Sequence, residues 1–479
     1  MTWTGTAETI QDKMPAMRRA LVVALIGLTC VVLDARAPRA VSLILTGGTV
    51  ITIDAARRVI PHGAVAIDGT DIVAVDTAEA VAAGYTGMEV VDTTDDIVLP
   101  GLVNTHGHAP MVLYRGLADD LALMDWLQRY IFPAEAKTVS PEMVRVGTKL
   151  AALEMIQSGT TTFTDMYYFE EEIARTARDA GLRGVLGETI IKFPVADAKT
   201  PADALKRAEA YIAEFRHDPL IMPAVAPHSA YTLERDTLLA CRDLALKYDV
   251  PLLIHLAETQ DEVRIIQESS HLTPTGYLES IGFWTPRVVA AHGVWVNDDD
   301  IAILKRQGVG VSHNPESNMK LASGVAPVPR YLAAGVKLGL GTDGAASNND
   351  LDMFEAMRQA AFLHKLETHD PRALPAPQAL ELATMGGARV LGLQDAIGSL
   401  EAGKRADLIV VGTNRARQTP LYDPISQLVY ATHGDDVKTT IVNGRVLMRD
   451  RKVATLDERA VLADARRMSG QVRQAVKPQ

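Results

Sequence analysis

The chain is poor in cysteine, and its two residues, Cys30 and Cys241, exclude a disulfide framework and a cysteine-rich metal site. Aromatic side chains make up only 5% of the residues against 47% hydrophobic ones, so a core must be built from aliphatic groups. Positive charge is also in deficit: 48 Lys and Arg against 59 Asp and Glu give a formal charge of −11. Such a surface repels phosphate backbones, and no nucleic-acid partner is expected. No run reaches the ~18 apolar residues of a spanning helix, so no membrane span is expected in the mature protein. The 22% of charged residues beside that apolar content excludes a disordered or fibrous chain. Cys241 shares an apolar-periodic stretch with Leu238, Leu239, Leu244 and Leu246. It reads as a core thiol with no redox role.

The N-terminus has the parts of an export signal. Arg18 and Arg19 precede the uncharged run Ala20 to Leu33, which is followed by Ala35-Arg36-Ala37. Glu8 and Asp12 lie upstream of this pattern, and a start at Met14 or Met17 would remove them. Gly27 stands three residues before Cys30, where a lipoprotein signal carries leucine. Export to the periplasm is the expectation, and a cytoplasmic protein with an apolar N-terminal arm is the alternative.

From Val41 the chain reads as short strands closed by Gly or Asp (LILTGG, TVITID, AVAIDG, DIVAVD), a small antiparallel β unit. After Gly101, apolar runs alternate with helical stretches: Leu99 to Asn104, Thr161 to Asp165, Gly184 to Gly187, Ile221 to Ala226, Pro251 to His255, Val288 to Ala291, Gly308 to Ser312, and Val336 to Gly341. Eight such units predict an α/β fold, a (β/α)8 barrel over 98–399. The tail returns to a β pattern with ADLIVVG and TTIVNGRVLM, where Asn443-Gly444 signals a hairpin. Segments 41–97 and 400–470 are therefore expected to pair in one composite β-sandwich, with 1–40 as the signal-like segment.

Six of the twelve histidines follow predicted strands directly: His106, His108, His228, His255, His292 and His313. Barrel active sites sit at the strands' C-terminal ends, so this sorting is a functional signal. His106 and His108, at i and i+2 on one strand face, can point at one cation. Two exposed loop histidines would have the same spelling, so the context decides. It adds His255 after strand five and Asp343 after strand eight, giving three nitrogens and one oxygen. That set suits one divalent ion, Zn2+ before Fe2+ or Mn2+, with an open position for water. No lysine follows strand four to bridge a second ion. Glu258, three residues after His255, reads as an acid/base group beside that water, or as a charge favoured at a helix N-terminus. His292 reads as a group that polarises the substrate, and Asp343 as a ligand that also accepts the water's proton.

The motifs PGLVNTHGH (Pro100 to His108), HLAET (His255 to Thr259), AAHG (Ala290 to Gly293), SHNPESNMKLASG (Ser312 to Gly324) and GTDGAASNN (Gly341 to Asn349) stand in one order that resembles the amidohydrolase superfamily. Within it the chain is most similar to the 5-methylthioadenosine/S-adenosylhomocysteine deaminase group, which borders the s-triazine chlorohydrolases. The resemblance implies a metal-dependent barrel that removes a purine 6-amino group as ammonia, and a homo-oligomer. It makes His106, His108, His255 and Asp343 the ligands, Glu258 the proton shuttle to the ring nitrogen beside C6, and His292 the carbonyl-side histidine. It also implies Trp126 as a wall for the 5′ substituent, Glu135 as the carboxylate for the ribose hydroxyls, and His228 as a purine or ribose contact. Hydrophobic packing for Trp126 and a surface charge for Glu135 are the alternatives. Between Ile190 and Thr200 only Lys192 and Lys199 could meet a substrate carboxylate, which favours a neutral thioether nucleoside or adenosine over the homocysteine conjugate. A free-base deaminase or triazine hydrolase is the second reading. A non-catalytic structural relative is the remote third.

Overall fold

The computed structural model describes residues 37–476, so residues 1–36 of the signal-like segment, with Cys30 and both candidate starts, lie outside the described residues, while Arg39 and Ala40 at its end already belong to a strand. Each of the eight predicted runs forms a barrel strand: β1 (Leu102–Asn104), β2 (Thr160–Tyr167), β3 (Arg183–Ile190), β4 (Ile221–Pro227), β5 (Leu252–Leu256), β6 (Val288–His292), β7 (Gly310–His313) and β8 (Lys337–Leu340). They pair in parallel in chain order. The last strand meets the first through Thr105 N–H donating to the Leu340 carbonyl (2.9 Å) and Asp343 N–H donating to that of His106 (3.0 Å). Alternation along the strands sends Val103, Met166, Val185, Ala224, Leu253 and Val289 into one buried cluster, while the opposite faces pack under the surrounding helices. Aliphatic side chains suffice because every strand is covered on both sides.

The first predicted run divides. Asp96–Pro100 belongs to another sheet, and only Leu102–Asn104 joins the barrel. Gly101 makes the crossing, because a Cβ there would lie 2.1 Å from the Thr161 hydroxyl. Asp96–Pro100 pairs antiparallel with Leu408–Gly412, the predicted ADLIVVG strand, in a seven-stranded sheet assembled from both chain ends. Asn443 and Gly444 both adopt positive φ (52° and 75°) in the tight turn between Val437–Val442 and Arg445–Arg449, as the Asn-Gly signal requires. Leu43, Leu45, Val65, Ile67, Leu408 and Ile441 form the core that joins this sheet to a four-stranded one.

Two expectations are corrected. The N-terminal β unit is not purely antiparallel: Arg39–Thr46 runs parallel to Tyr85–Asp92, and Thr49–Ile51 runs parallel to Asp96–Pro100. The turn at Gly47 (φ 99°) lets the chain change sheets, a move that local pattern does not reveal. The sandwich also does not extend to residue 470. Glu458–Val476 is an α-helix whose buried Val461, Ala465, Met468 and Val472 follow helical spacing, and it packs on the barrel helix Pro141–Ser158. Among the described residues, no helix is long and apolar enough to cross a membrane.

Barrel and sheet are joined by a buried ion pair. Arg183 on β3 donates to both carboxylate oxygens of Asp407 (2.8 and 3.2 Å), which also accepts the Asn443 amide (2.6 Å). Asp407→Ala strands the guanidinium, and chemical denaturation is expected to show a loss of about 3–5 kcal/mol. A loss below about 1 kcal/mol, the worth of an exposed pair, would show that this contact does not hold the two parts together.

Candidate active site

His106 and His108 leave the end of β1, His255 lies within β5, and Asp343 follows β8, so the closure of the barrel brings them to one mouth. The Nδ1 of His108 lies 2.8 Å from the Met166 carbonyl, and that of His255 lies 2.8 Å from the His228 carbonyl. A carbonyl only accepts, so each Nδ1 carries a hydrogen, and in the neutral ring each Nε2 presents a lone pair. Those two lone pairs face each other at 3.4 Å. Asp343 Oδ1 lies 3.3 Å from His108 Nε2 and 3.4 Å from His106 Nε2, which is buried without a hydrogen-bond partner. Electron-rich atoms converging with no hydrogen between them repel unless a cation sits among them. The donor set of three imidazoles and one carboxylate fits a divalent ion such as zinc. His106, His108 and Asp343 bring ligand atoms within 4.8 Å of one another, and so do His106, His255 and His292. Burial lowers His106 to about 4 and His255 well below the usual range, which keeps both imidazoles neutral as ligands must be. Burial acts the same way on His108, but the Asp343 carboxylate beside it outweighs burial and lifts it to about 9, giving it a proton that a bound cation would displace.

Glu258 sits two residues past β5, and its Oε2 is 3.7 Å from His292 Nε2. Burial is the largest influence on Glu258 and raises its pKa, which suits a carboxyl that holds and passes a proton. Its Oε1 accepts the Ser323 hydroxyl at 3.3 Å. His292 Nδ1 is 2.9 Å from Asn318 Oδ1, and Ser317 donates to Asp343 Oδ2 at 2.7 Å. Ser317, Asn318 and Ser323 all belong to the motif SHNPESNMKLASG, where the sequence reading gave no residue a role. Glu262 was missed as well. It accepts the amides of Ala257 (2.9 Å) and Glu258 (3.0 Å), holding the turn that aims Glu258. The spacing Thr259 to Glu262, a helix-start signature, was its visible sign. Ala257, His292 and Asp343 all adopt positive φ (48°, 74° and 64°), so backbone strain concentrates where these side chains are aimed.

A cavity opens from these groups. Trp126, Glu135 and His228 all line it, as do His108, His255, Glu258, His292 and Asp343. Glu135 is buried rather than a surface charge. Tyr167 donates to its Oε1 at 2.7 Å, and burial pushes its pKa up to about 7. His228 is lowered to about 3 by burial, so it is a neutral ring beside the cavity. Tyr167, Tyr168 and Tyr231 line it too and were not singled out; β2 runs two residues beyond the predicted Asp165, which carries Tyr167 to the rim. His313 departs from the expected cluster. It pairs with His364 at 3.1 Å between their Nε2 atoms, because Ser312 takes the inward position on β7 and bonds Thr105 at 2.6 Å. Cys241 is buried in the core as expected, and burial pushes its thiol up.

Residues 97–447 match the amidohydrolase family. The chain belongs to the amidohydrolase family. This amidohydrolase is 46% identical over 437 residues to a 5-methylthioadenosine/S-adenosylhomocysteine deaminase of Syntrophus aciditrophicus, covering 91% of this chain and 99% of that one. A zinc-bound adenosine deaminase structure from Xanthomonas campestris superposes with a TM-score of 0.90 at 38% identity, over 91% of this chain and 100% of that one. The zinc complex of an atrazine chlorohydrolase from Arthrobacter aurescens follows with a TM-score of 0.82 at 25% identity, over 89% and 100%.

The converging lone pairs generate a direct expectation. Replacing His106, His108 or His255 by Ala should strip the amidohydrolase of most of its divalent ion, measured by elemental analysis after dialysis. An Ala variant that retains a full equivalent would remove that residue from the ligand set.

Proposed function

We propose that the protein is a zinc-dependent hydrolytic deaminase of 6-aminopurine nucleosides, exchanging the amino group at C6 for oxygen from water and releasing ammonia. One observation carries this reading: a single cavity is lined by His108, His255 and Asp343 of the converging donor set, by Glu258, and by a buried carboxylate, Glu135. The solved relatives named for deamination support it. His106, His108, His255 and Asp343 would hold the ion. When bound, a divalent ion brings the pKa of water near neutrality, making it a nucleophile.

The chain's own groups supply the proton chemistry. Glu258, whose pKa its burial raises, donates a proton to the ring nitrogen beside C6 as water attacks that carbon. Asp343 takes the proton released by the water and passes it to the amino group, which departs as ammonia, while the hydroxyl proton left at C6 returns to Glu258. His292, oriented by Asn318, faces the oxygen that develops at C6. Charge arising on the ring is neutralised where it forms, so these contacts strengthen in the transition state. Trp126 walls the nucleoside, and His228 contacts it as an uncharged ring. Export from the cytoplasm and a homo-oligomeric state are further parts of this proposal; N-terminal sequencing of the mature protein and light scattering test them.

Glu258→Gln keeps the shape and removes the titrating proton. kcat should fall by at least about 100-fold while the ion stays bound. Loss of the ion in that variant would make Glu258 a structural support and contradict the mechanism.

Glu135 separates nucleosides from bare heterocycles. Glu135→Ala should lower kcat/KM for adenosine by about 2–4 kcal/mol, the scale of two charge-assisted hydrogen bonds that are not fully additive. A 2′,3′-dideoxynucleoside should show the same penalty with the intact enzyme and little further loss with the variant. Additive penalties, or none, together with turnover of free bases or triazines, would move the assignment to those substrates.

A further inference from the structure

One residue outside the cavity grips the surroundings of Glu258 on two sides. The residue before Glu258 is Ala257, held at a positive φ of 48°. Its carbonyl accepts two amides from the segment after β6, those of Val294 (3.1 Å) and Trp295 (2.8 Å). Across the carboxyl group, the Ser323 hydroxyl donates to Glu258 Oε1 (3.3 Å), and the Ser323 carbonyl accepts the indole N–H of Trp295 (2.7 Å). Trp295 thus holds the backbone that carries Glu258 with its amide, and the loop that meets the Glu258 side chain with its ring. The loop after β7 closes directly on that ring. Gly324 follows Ser323 with φ 127°, and a Cβ there would lie 2.8 Å from the Val294 side chain and 3.1 Å from the indole. The other face of the indole is open: Trp295 is 38% exposed and lines an outer groove with Val263, Val296 and Pro327, not the cavity of the reacting groups.

We infer that Trp295 is a positioning residue for the proton transfer at Glu258, acting through Ala257 and Ser323 without touching substrate. The inference rests on the deaminase reading above, in which Glu258 moves the proton, and extends it to a residue beyond the cavity wall. A glutamate side chain has several freely rotating bonds, and fixing it in one pose costs conformational entropy. The Ser323 hydroxyl restricts that freedom only as far as its own loop is fixed, and the indole N–H is what ties the loop to the segment after β6. Phenylalanine would fill much of the same space and donate nothing, leaving the loop free to drift. A carboxyl group displaced by about 1 Å from its reacting atom loses up to about 100-fold in rate. Substrate binding draws on other side chains, so the loss belongs in kcat and not in KM.

The test uses the zinc-loaded full chain and the 6-aminopurine nucleoside it turns over fastest, with ammonia as the readout. Trp295→Phe should lower kcat at least about tenfold while KM and zinc content stay within about twofold. In a Glu258→Gln background the same change should lower the residual kcat by less than about twofold, because the group it aims no longer carries the proton. Ser323→Ala cuts the link at its other end. It should lower kcat by a similar factor, and combining it with Trp295→Phe should cost little beyond the worse single change. An unchanged kcat in Trp295→Phe, equal losses in the native and Glu258→Gln backgrounds, or fully multiplicative losses in the Trp295 and Ser323 pair would each overturn the inference. If Trp295→Phe does not fold, Ser323→Ala in the two backgrounds decides by the same criterion. An unchanged kcat in Glu258→Gln alone, or inactivity towards every 6-aminopurine nucleoside, would instead overturn the reading on which it rests.

Discussion

Mutual repulsion among lone pairs at the barrel mouth is the constraint on which the rest of the site depends. His108 and His255 spend their Nδ1 hydrogens on the carbonyls of Met166, on β2, and His228, just after β4. Their Nε2 atoms, with His106 Nε2 and Asp343 Oδ1, are then left facing one another with nothing to share. The fold maintains this unfavourable convergence with backbone contacts, barrel closure between Thr105 and Leu340, and strained turns at His292 and Asp343. A cation converts the repulsion into attraction, which is why the arrangement reads as a metal centre.

Around that centre, the polar groups that do the aiming come from a few short segments. Ser317, Asn318 and Ser323 reach Asp343, His292 and Glu258 respectively, so one loop after β7 orients three groups from three different strand ends. Glu262 fixes the turn under Glu258 from the opposite side. Such supports matter because a donor misplaced by a fraction of an ångström loses much of its effect on the reaction. The lining changes character where the cavity meets a second cleft: Glu135 and Tyr168 line both, and the rest of the cleft is apolar.

Much of this was legible in the sequence because barrel chemistry is written at strand ends. Eight aliphatic runs marked the strands, and a histidine or aspartate just after a run marked a side chain at the mouth; His106, His108, His255, His292 and Asp343 all arrive there. His313 did not, since the two-residue alternation of β7 turned Ser312 inward and His313 towards His364. Features that depend on distant partners were hidden. The parallel pairing of Arg39–Thr46 with Tyr85–Asp92 has no local signal, and the helix Glu458–Val476 was masked by the β pattern just before it although Val461, Ala465, Met468 and Val472 carry its period. Glu135 could be named from its motif, but its burial against Tyr167 could not, because that contact joins the helix Phe132–Thr138, after β1, to the end of β2.

The most direct test of this account follows the adenine chromophore and ammonia together. Protein loaded with one equivalent of zinc is mixed with adenosine or 5′-methylthioadenosine, and the ultraviolet spectrum and released ammonia are recorded against time. The account predicts conversion to the hypoxanthine chromophore with one ammonia per nucleoside, at a rate that tracks zinc content. Full zinc occupancy with no spectral change for either nucleoside, beside turnover of a free base or a chlorinated triazine, would contradict it.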